Sequence, residues 1–412
     1  MRRSRALLAG AATAALMFTA ACTTDTPTET APEGTETTAE ETAEAEGSDD
    51  SGANSDWFVQ ADFDRELAQR DIAPEGPADQ PWLQAIEPEF VDTSEFASEG
   101  GDKVLCFSNA SVSNPWRVTG WITMQQQVEV LEAEGVIGEF RVSDAADDDN
   151  KQISDIQAFV EAGDCDAIIV SPSTTATLTP AVEAACESGK PVIVFDRGVN
   201  TDCMVTFIHP IGGYAYGADG AEFLTENLDE GSTVLALRIL PGVDVLENRW
   251  AAADKIFSES GLEVVGQEFT GGDAAQIKDI VTQYLQRGPV DGIWMDAGDG
   301  SVAAVEAFED AGQPYPVFMG EDEMSFLRKW QDTEMTAIGA VYSNFQWRTP
   351  ILAAQMIWNG EEVPSEWVLP QDPIEADELD AYLEENADMP SLHYAKFGGE
   401  DLPGYPEAWT DR

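Results

Sequence analysis

From Lys103 to Gly198 the chain alternates short apolar runs with helix-length segments, and each run closes on small, polar or charged side chains. VLCFSNAS (104–111) breaks into the turn Ser113-Asn114-Pro115-Trp116, and DAIIVSPS (166–173) and PVIVFDRG (191–198) repeat the design. Continuous Val/Ile runs separated by helices predict a parallel sheet buried on both faces. Such sheets bind ligands outside the carboxyl ends of their strands. Asn114, Trp116, Ser171, Asp196 and Arg197 are therefore expected to face one crevice.

The alternation continues. A helix over 213–228 leads to STVLALRIL (232–240), read as the first strand of a second lobe, and a helix follows from Arg249 to Ser260. Strands are expected at 262–269, 291–298, 316–322 and 337–344, the last ending in Tyr342, Ser343 and Asn344. A helix near 349–359 and a final strand at 367–371 complete an α/β chain of two doubly wound parallel-sheet lobes.

The order strand, SNPW turn, helix, strand, helix, IIVSPS, helix, PVIVFDRG resembles the sugar-binding branch of the type I periplasmic binding proteins, the ribose-binding-like receptors of ABC importers. The resemblance spans roughly residues 102–370. Asn114-Pro115-Trp116 and Asp196-Arg197 are similar to that family's ligand-contacting Asn-Pro-aromatic and Asp-Arg pairs. Gly320-Glu321-Asp322 matches a Gly-x-Asp at a second-lobe strand end, and Gly212-Gly213 follows the first crossing between lobes. The pattern departs at Glu247, where the ribose receptors carry an Arg, and at Ala297, where they carry an Asn. Those departures argue against ribose itself.

The resemblance implies three crossings, near His209-Pro210, Tyr342-Ser343 and Val363-Pro364. It implies a first lobe of 102–210 plus 343–363, a second of 211–342 plus 364–372, and a cleft between them that closes by a hinge. Outside this core lie an N-terminal extension, 57–101, and a C-terminal extension, 373–412, with an acidic helix expected at 376–385. Their aromatics (Trp57, Phe58, Phe63, Trp82 and Phe90 in the first, LHYAKFGGEDLPGYPEAW in the second) predict segments packed on the lobes.

The amino terminus gives an address. Arg2, Arg3 and Arg5 precede an apolar stretch from Ala6 to Phe18, and Thr19-Ala20-Ala21 leads into Cys22, so residues 1–22 read as a signal peptide. Small residues directly before a Cys resemble a bacterial lipoprotein cleavage site, which makes Cys22 the expected lipidation site and membrane anchor. Residues 23–56 carry almost only Thr, Glu, Ala, Pro, Gly, Asp and Ser, too polar to bury a core, and read as a disordered tether.

Acidic residues number 78 against 21 Lys and Arg, a formal net charge of -57. Only eleven of those acids fall in the tether, so the folded part is itself acidic. Such a field repels nucleic acid and anionic lipid, and self-repulsion that salt would screen points to a saline exterior. A cationic ligand is the rival explanation of the acidity.

With Cys22 assigned to lipid, four cysteines remain, as suits an exported chain. Cys106 reads as a small buried hydrophobe, and Cys186 and Cys203 fall at the amino ends of adjacent strands, where a disulfide is expected. Cys165–Cys186 is the alternative pairing.

A sugar offers hydroxyls and an apolar C–H face, so its site needs carboxylates, amides and aromatic rings. Trp116 is the candidate to stack on the ring, and Asp196 and Arg197 the candidates to bond neighbouring hydroxyls as a charged pair. Asn114 and Asp322 follow, then Arg117, Ser171, Asp299, Tyr342 and Asn344, and lastly Glu247 and Arg249, for which structural roles compete.

An enzyme is not expected. The chain has two histidines, His209 and His393, and no G-x-S-x-G, H-E-x-x-H or Walker loop. A carboxylate-based glycoside-processing enzyme remains the formal rival. Asp147-Asp148-Asp149 and the loop from Asp296 to Gly300 lack EF-hand spacing and read as solvated loops, so neither metal nor cofactor is expected. The sequence thus predicts a lipid-anchored, monomeric solute-binding protein that hands a monosaccharide or small polyol to an ABC permease and ATPase. A receptor feeding a membrane sensor kinase or chemoreceptor is the alternative.

Overall fold

The computed structural model describes residues 57–410. The expected signal peptide, Cys22 and the tether lie outside the described residues.

Two parallel sheets form. The first runs, edge to edge, Glu366–Leu369, Thr206–Pro210, Val192–Phe195, Ala167–Ser171, Lys103–Asn109 and Ile137–Asp144. The second runs Ala337–Ala340, Val317–Glu321, Gly292–Met295, Thr233–Arg238 and Glu263–Phe269. Central strands are buried end to end, Ala167–Ser171 and Val192–Phe195 at every position. The edge strand Ile137–Asp144 is mostly exposed or half-buried, so its sequence carries no continuous apolar run.

Helix starts follow local chemistry. Asn114 caps Pro115–Ala133 by accepting from the Arg117 amide at 2.9 Å, with Pro115 in the first turn where a missing N–H costs nothing. Gly120 on this helix lies against the buried Trp347 indole, where a Cβ would come within 2.2 Å of the ring. Gly217 does the same between Gly213–Asn227 and Asp244–Ser260: a Cβ there would sit 1.9 Å from the Arg249 carbonyl. That close approach fixes where the Arg249 side chain emerges.

The last crossing lies later than expected. Glu366–Leu369 pairs in parallel with Thr206–Pro210, Trp367 opposite Ile208, so this strand belongs to the first sheet and not to a second-lobe segment 364–372. Burial explains the choice: Trp367 and Leu369 are enclosed there, and the indole donates to the Gln84 carbonyl at 2.8 Å. The chain crosses only after Leu369, and Ile374 then bridges to Gly339 of the second sheet.

Two disulfides brace the first lobe. Cys186 pairs with Cys203 as expected, but Cys106 is not a free hydrophobe: it pairs with Cys165. Cys106 lies on the strand next to Ala167–Ser171, and Cys165 just precedes that strand, so the sheet itself brings the two sulfurs together.

Both extensions pack. Helix Gln60–Gln69 rests on Gly213–Asn227 through Phe63 and Tyr214, with Arg70 held by Asp219 and Glu222 at 2.7 and 2.8 Å. The segment then passes to the first lobe, where Phe90–Val91 pairs antiparallel with Val363–Pro364. In the C-terminal extension the acidic helix begins at Leu379 and ends at Glu385.

Candidate ligand-binding site

Strand ends from both sheets meet at a chamber between the lobes. On the first-lobe side Asp196 has φ 73°, a left-handed conformation that residues other than glycine rarely adopt. The carboxylate accepts from Arg117 Nη2 at 2.6 Å, and the Asp196 carbonyl accepts from the Tyr342 hydroxyl at 3.0 Å. Trp116 is pinned by its indole N–H, which donates to the Tyr342 carbonyl at 2.8 Å. The Arg117 guanidinium lies over the Trp116 and Trp347 rings, 5.8 and 5.9 Å from their centroids. Arg197 does not pair with Asp196. Its Nη1 donates to the Ser173 carbonyl at 2.6 Å, and the rest of the guanidinium borders the chamber.

On the second-lobe side Arg249 stacks between two rings, 3.8 Å from the centroid of Tyr216 and 4.8 Å from that of Tyr342. Its Nη1 donates to the Asp296 carbonyl at 2.5 Å. Glu321 is held from three sides: Oε1 accepts from the Tyr216 hydroxyl at 3.1 Å, Oε2 from the Tyr394 hydroxyl at 3.0 Å and from the Gly298 amide at 2.9 Å. Asp299 completes the wall beside Ala297.

Burial governs the electrostatics. It raises Asp299 to about 7, helped by neighbouring Glu321, and raises Asp296 and Asp322 to about 7 and Glu323 to about 8. Burial lowers Arg197, and Arg117 beside it adds to the shift. Tyr394 and Tyr216 are pushed up by burial and then by Glu321, so both hydroxyls keep their protons and remain donors.

Eight of the twelve expected residues line this chamber: Asn114, Trp116, Arg117, Asp196, Arg197, Arg249, Asp299 and Tyr342. Four do not. Ser171 is fully buried at its strand end, and Glu247 holds Arg238 at 2.7 Å and the Gly242 amide at 2.6 Å. Asp322 turns away to accept from the Lys396 amide at 2.9 Å, and Asn344 donates to the Trp116 carbonyl at 2.7 Å. Glu321 and Tyr394 were not expected at the chamber. Alternation along a strand end puts Glu321, rather than Asp322, on the cleft face, and Tyr394 comes from an extension with no sequence pattern tying it to the site.

The chamber encloses about 100 Å³. It shares Asp196, Arg197 and Tyr342 with an outer groove of about 520 Å³, walled by Ser173, Thr177 and His209 and, from the N-terminal extension, by Trp57 and Glu66. Burial raises Glu66 to about 7, and its carboxyl accepts from the Ala215 amide at 3.1 Å.

Residues 105–362 match the family model described as a periplasmic binding protein domain. The chain belongs to this family. Over 223 residues, 54% of this chain and 72% of the relative, it is 24% identical to the ribose import binding protein of Bacillus subtilis (strain 168). Among solved structures it is similar to an ABC transporter solute-binding protein from Thermobispora bispora, with a TM-score of 0.63, 21% identity, and coverage of 73% of this chain and 95% of that one. A solute-binding protein from Bacillus halodurans with bound myo-inositol matches at TM-score 0.62 and 20% identity, over 70% of this chain and 100% of that one. The fructose-binding periplasmic domain of a hybrid two-component system shares the fold at TM-score 0.60 and 20% identity, over 69% of this chain and 94% of that one. Members of the family are substrate-binding proteins rather than enzymes, which removes the glycoside-processing alternative.

Proposed function

We propose that this family member captures a neutral monosaccharide or similar small polyol in the interlobe chamber and delivers it to an ABC importer. The observation that carries the reading is charge balance. In a chain of formal net charge -57, the chamber wall sets Arg117, Arg197 and Arg249 against Asp196, Asp299 and Glu321. With Asp299 raised by burial to about 7, three cations face two to three carboxylate charges, so the wall is close to neutral and favours a ligand that carries little net charge and both donates and accepts hydrogen bonds. That balance counts against a cationic ligand as the cause of the acidity. Trp116, Tyr342 and Tyr394 supply the aromatic surface that sugar C–H faces need.

Delivery is supported by kinship with import binding proteins and by the signal-like segment; in this reading Cys22 carries the lipid anchor and the protein acts as a monomer. A sensory role is the second reading, favoured by the fold shared with a two-component sensor domain; a permease and an ATPase encoded beside this gene would decide for transport. The direct test is a thermal-shift screen of sugars and polyols, with nucleosides and aromatic acids as controls, followed by small-angle scattering. A sugar that binds should raise the melting temperature by linkage and reduce the radius of gyration. Stabilisation by a charged control alone would overturn the reading.

A further inference from the structure

The C-terminal extension touches both lobes and the chamber. Along the second lobe it is bonded through backbone: the Met324 amide donates to the His393 carbonyl at 2.8 Å and the Ala395 amide to the Asp322 carbonyl at 2.8 Å. From that edge Tyr394 reaches into the chamber and donates to Glu321. The same segment then engages the first lobe. Arg348 forms a two-pronged ion pair with Asp401, at 2.5 and 2.9 Å, and donates to the Gly398 carbonyl at 3.0 Å. Gly398 is pressed so close to Phe345 and Trp82 that a Cβ would come within 2.6 and 2.9 Å of them. Farther on, the Trp409 indole donates to Thr123 Oγ1 at 3.3 Å on the helix that carries Trp116 and Arg117.

We propose that this extension is a clasp across the ligand cleft: Tyr394 positions the Glu321 carboxylate for a ligand hydroxyl, and Asp401 and Trp409 hold the second lobe against the first. A hinge opens only if one lobe rotates away from the other. The extension cannot follow both, so opening must break either its side-chain bonds to Arg348 and Thr123 or its backbone bonds along the second lobe. Glu321 accepts three of the roughly four hydrogen bonds a carboxylate can take, which leaves one direction for a ligand. Tyr394 therefore sets which hydroxyl geometry that direction accepts.

The inference rests on the chamber being the ligand site, and one arm of its test needs no ligand. Asp401 is more than half exposed, so Asp401→Ala should fold, and Asp401→Asn keeps the shape if it does not. In small-angle scattering without sugar, either variant should be more open than the wild type. The second arm uses whichever of D-ribose, myo-inositol, L-arabinose, D-fructose and D-allose binds the wild type most tightly. Asp401→Ala should release that sugar about tenfold faster, with association within about twofold. Tyr394→Phe should weaken binding about tenfold and narrow the preference among the five, while scattering without sugar stays as in the wild type. Wild-type compactness and release rate in Asp401→Ala would overturn the clasp, and wild-type affinity and preference in Tyr394→Phe would overturn the positioning role. If none of the five binds the wild type, the functional proposal loses its support, and the ligand-free scattering still decides the clasp.

Discussion

Arg117 and Asp196 form an ion pair of 2.6 Å with both side chains about 95% buried, one at the start of a helix and the other at the end of a strand. Burial makes the pair costly to break from one side, because the remaining charge has no solvent to turn to. It also leaves Arg197 unpaired by Asp196 and open to the chamber.

Asp196→Ala should therefore cost about 3–5 kcal/mol in urea unfolding, the range for removing one member of a buried pair. Alanine also tolerates the positive φ at this position poorly. Asp196→Asn, which accepts a hydrogen bond and visits the left-handed region more readily, should cost distinctly less. A loss in Asp196→Ala no larger than that of an ordinary surface substitution, within about 0.5 kcal/mol, would count against the buried pair.

Arg197→Met should separate binding from stability. The guanidinium is disfavoured by burial and by Arg117, so replacing it with an apolar chain should leave unfolding stability unchanged or raise it by about 1 kcal/mol. Sugar affinity measured by calorimetry should fall about 10- to 100-fold, the value of a hydrogen bond to a charged group. A large loss of stability would make Arg197 a structural residue instead.

Acid should stabilise the fold. Asp296, Asp299 and Asp322 rise from 3.8 to about 7 and Glu323 from 4.5 to about 8, all through burial first. Between about pH 4 and 8 the folded chain then holds more protons than the unfolded one, so stability falls as pH rises through that window and levels off above it. Exposed Asp164, held down by Arg141, works the other way but is screened by water. The melting temperature at fixed salt should be higher at pH 5 than at pH 8, and Asp322→Asn should flatten the slope. A melting temperature that drops on acidification over this range would refute the assignment.

Salt should stabilise it too. The screening length shrinks from about 30 Å at 0.01 M to about 3 Å at 1 M, and a chain of net charge -57 repels itself across the longer distance. Unfolding stability should rise from 0.01 M towards about 1 M sodium chloride, most of it early. A gain seen only with sulfate would point to surface exclusion, and a flat response would remove screening as the reason for the acidic composition.

Much of this protein was legible as one-dimensional pattern. Continuous runs such as AIIVS and VIVF read as central strands of a sheet covered on both faces, and Asn114-Pro115 carries its own helix start, so the two lobes and the first-lobe wall of the chamber could be read directly. The sequence also placed Asp196, Arg197 and Tyr342 at strand ends, where ligands gather. What it left open depends on contacts between residues far apart in the chain. The partner of Asp196 proved to be Arg117, 79 residues away, rather than its neighbour Arg197. Cys106 found Cys165 across two strands, and Glu366–Leu369 chose its sheet by where Trp367 could be buried. Tyr394 reaches the chamber only because the C-terminal extension folds back over both lobes. Local propensity and periodicity act within a few residues, while burial and pairing are settled only when distant segments compete for the same surface, and that competition brought Glu321 and Tyr394 to the chamber wall and turned Asp322 away from it.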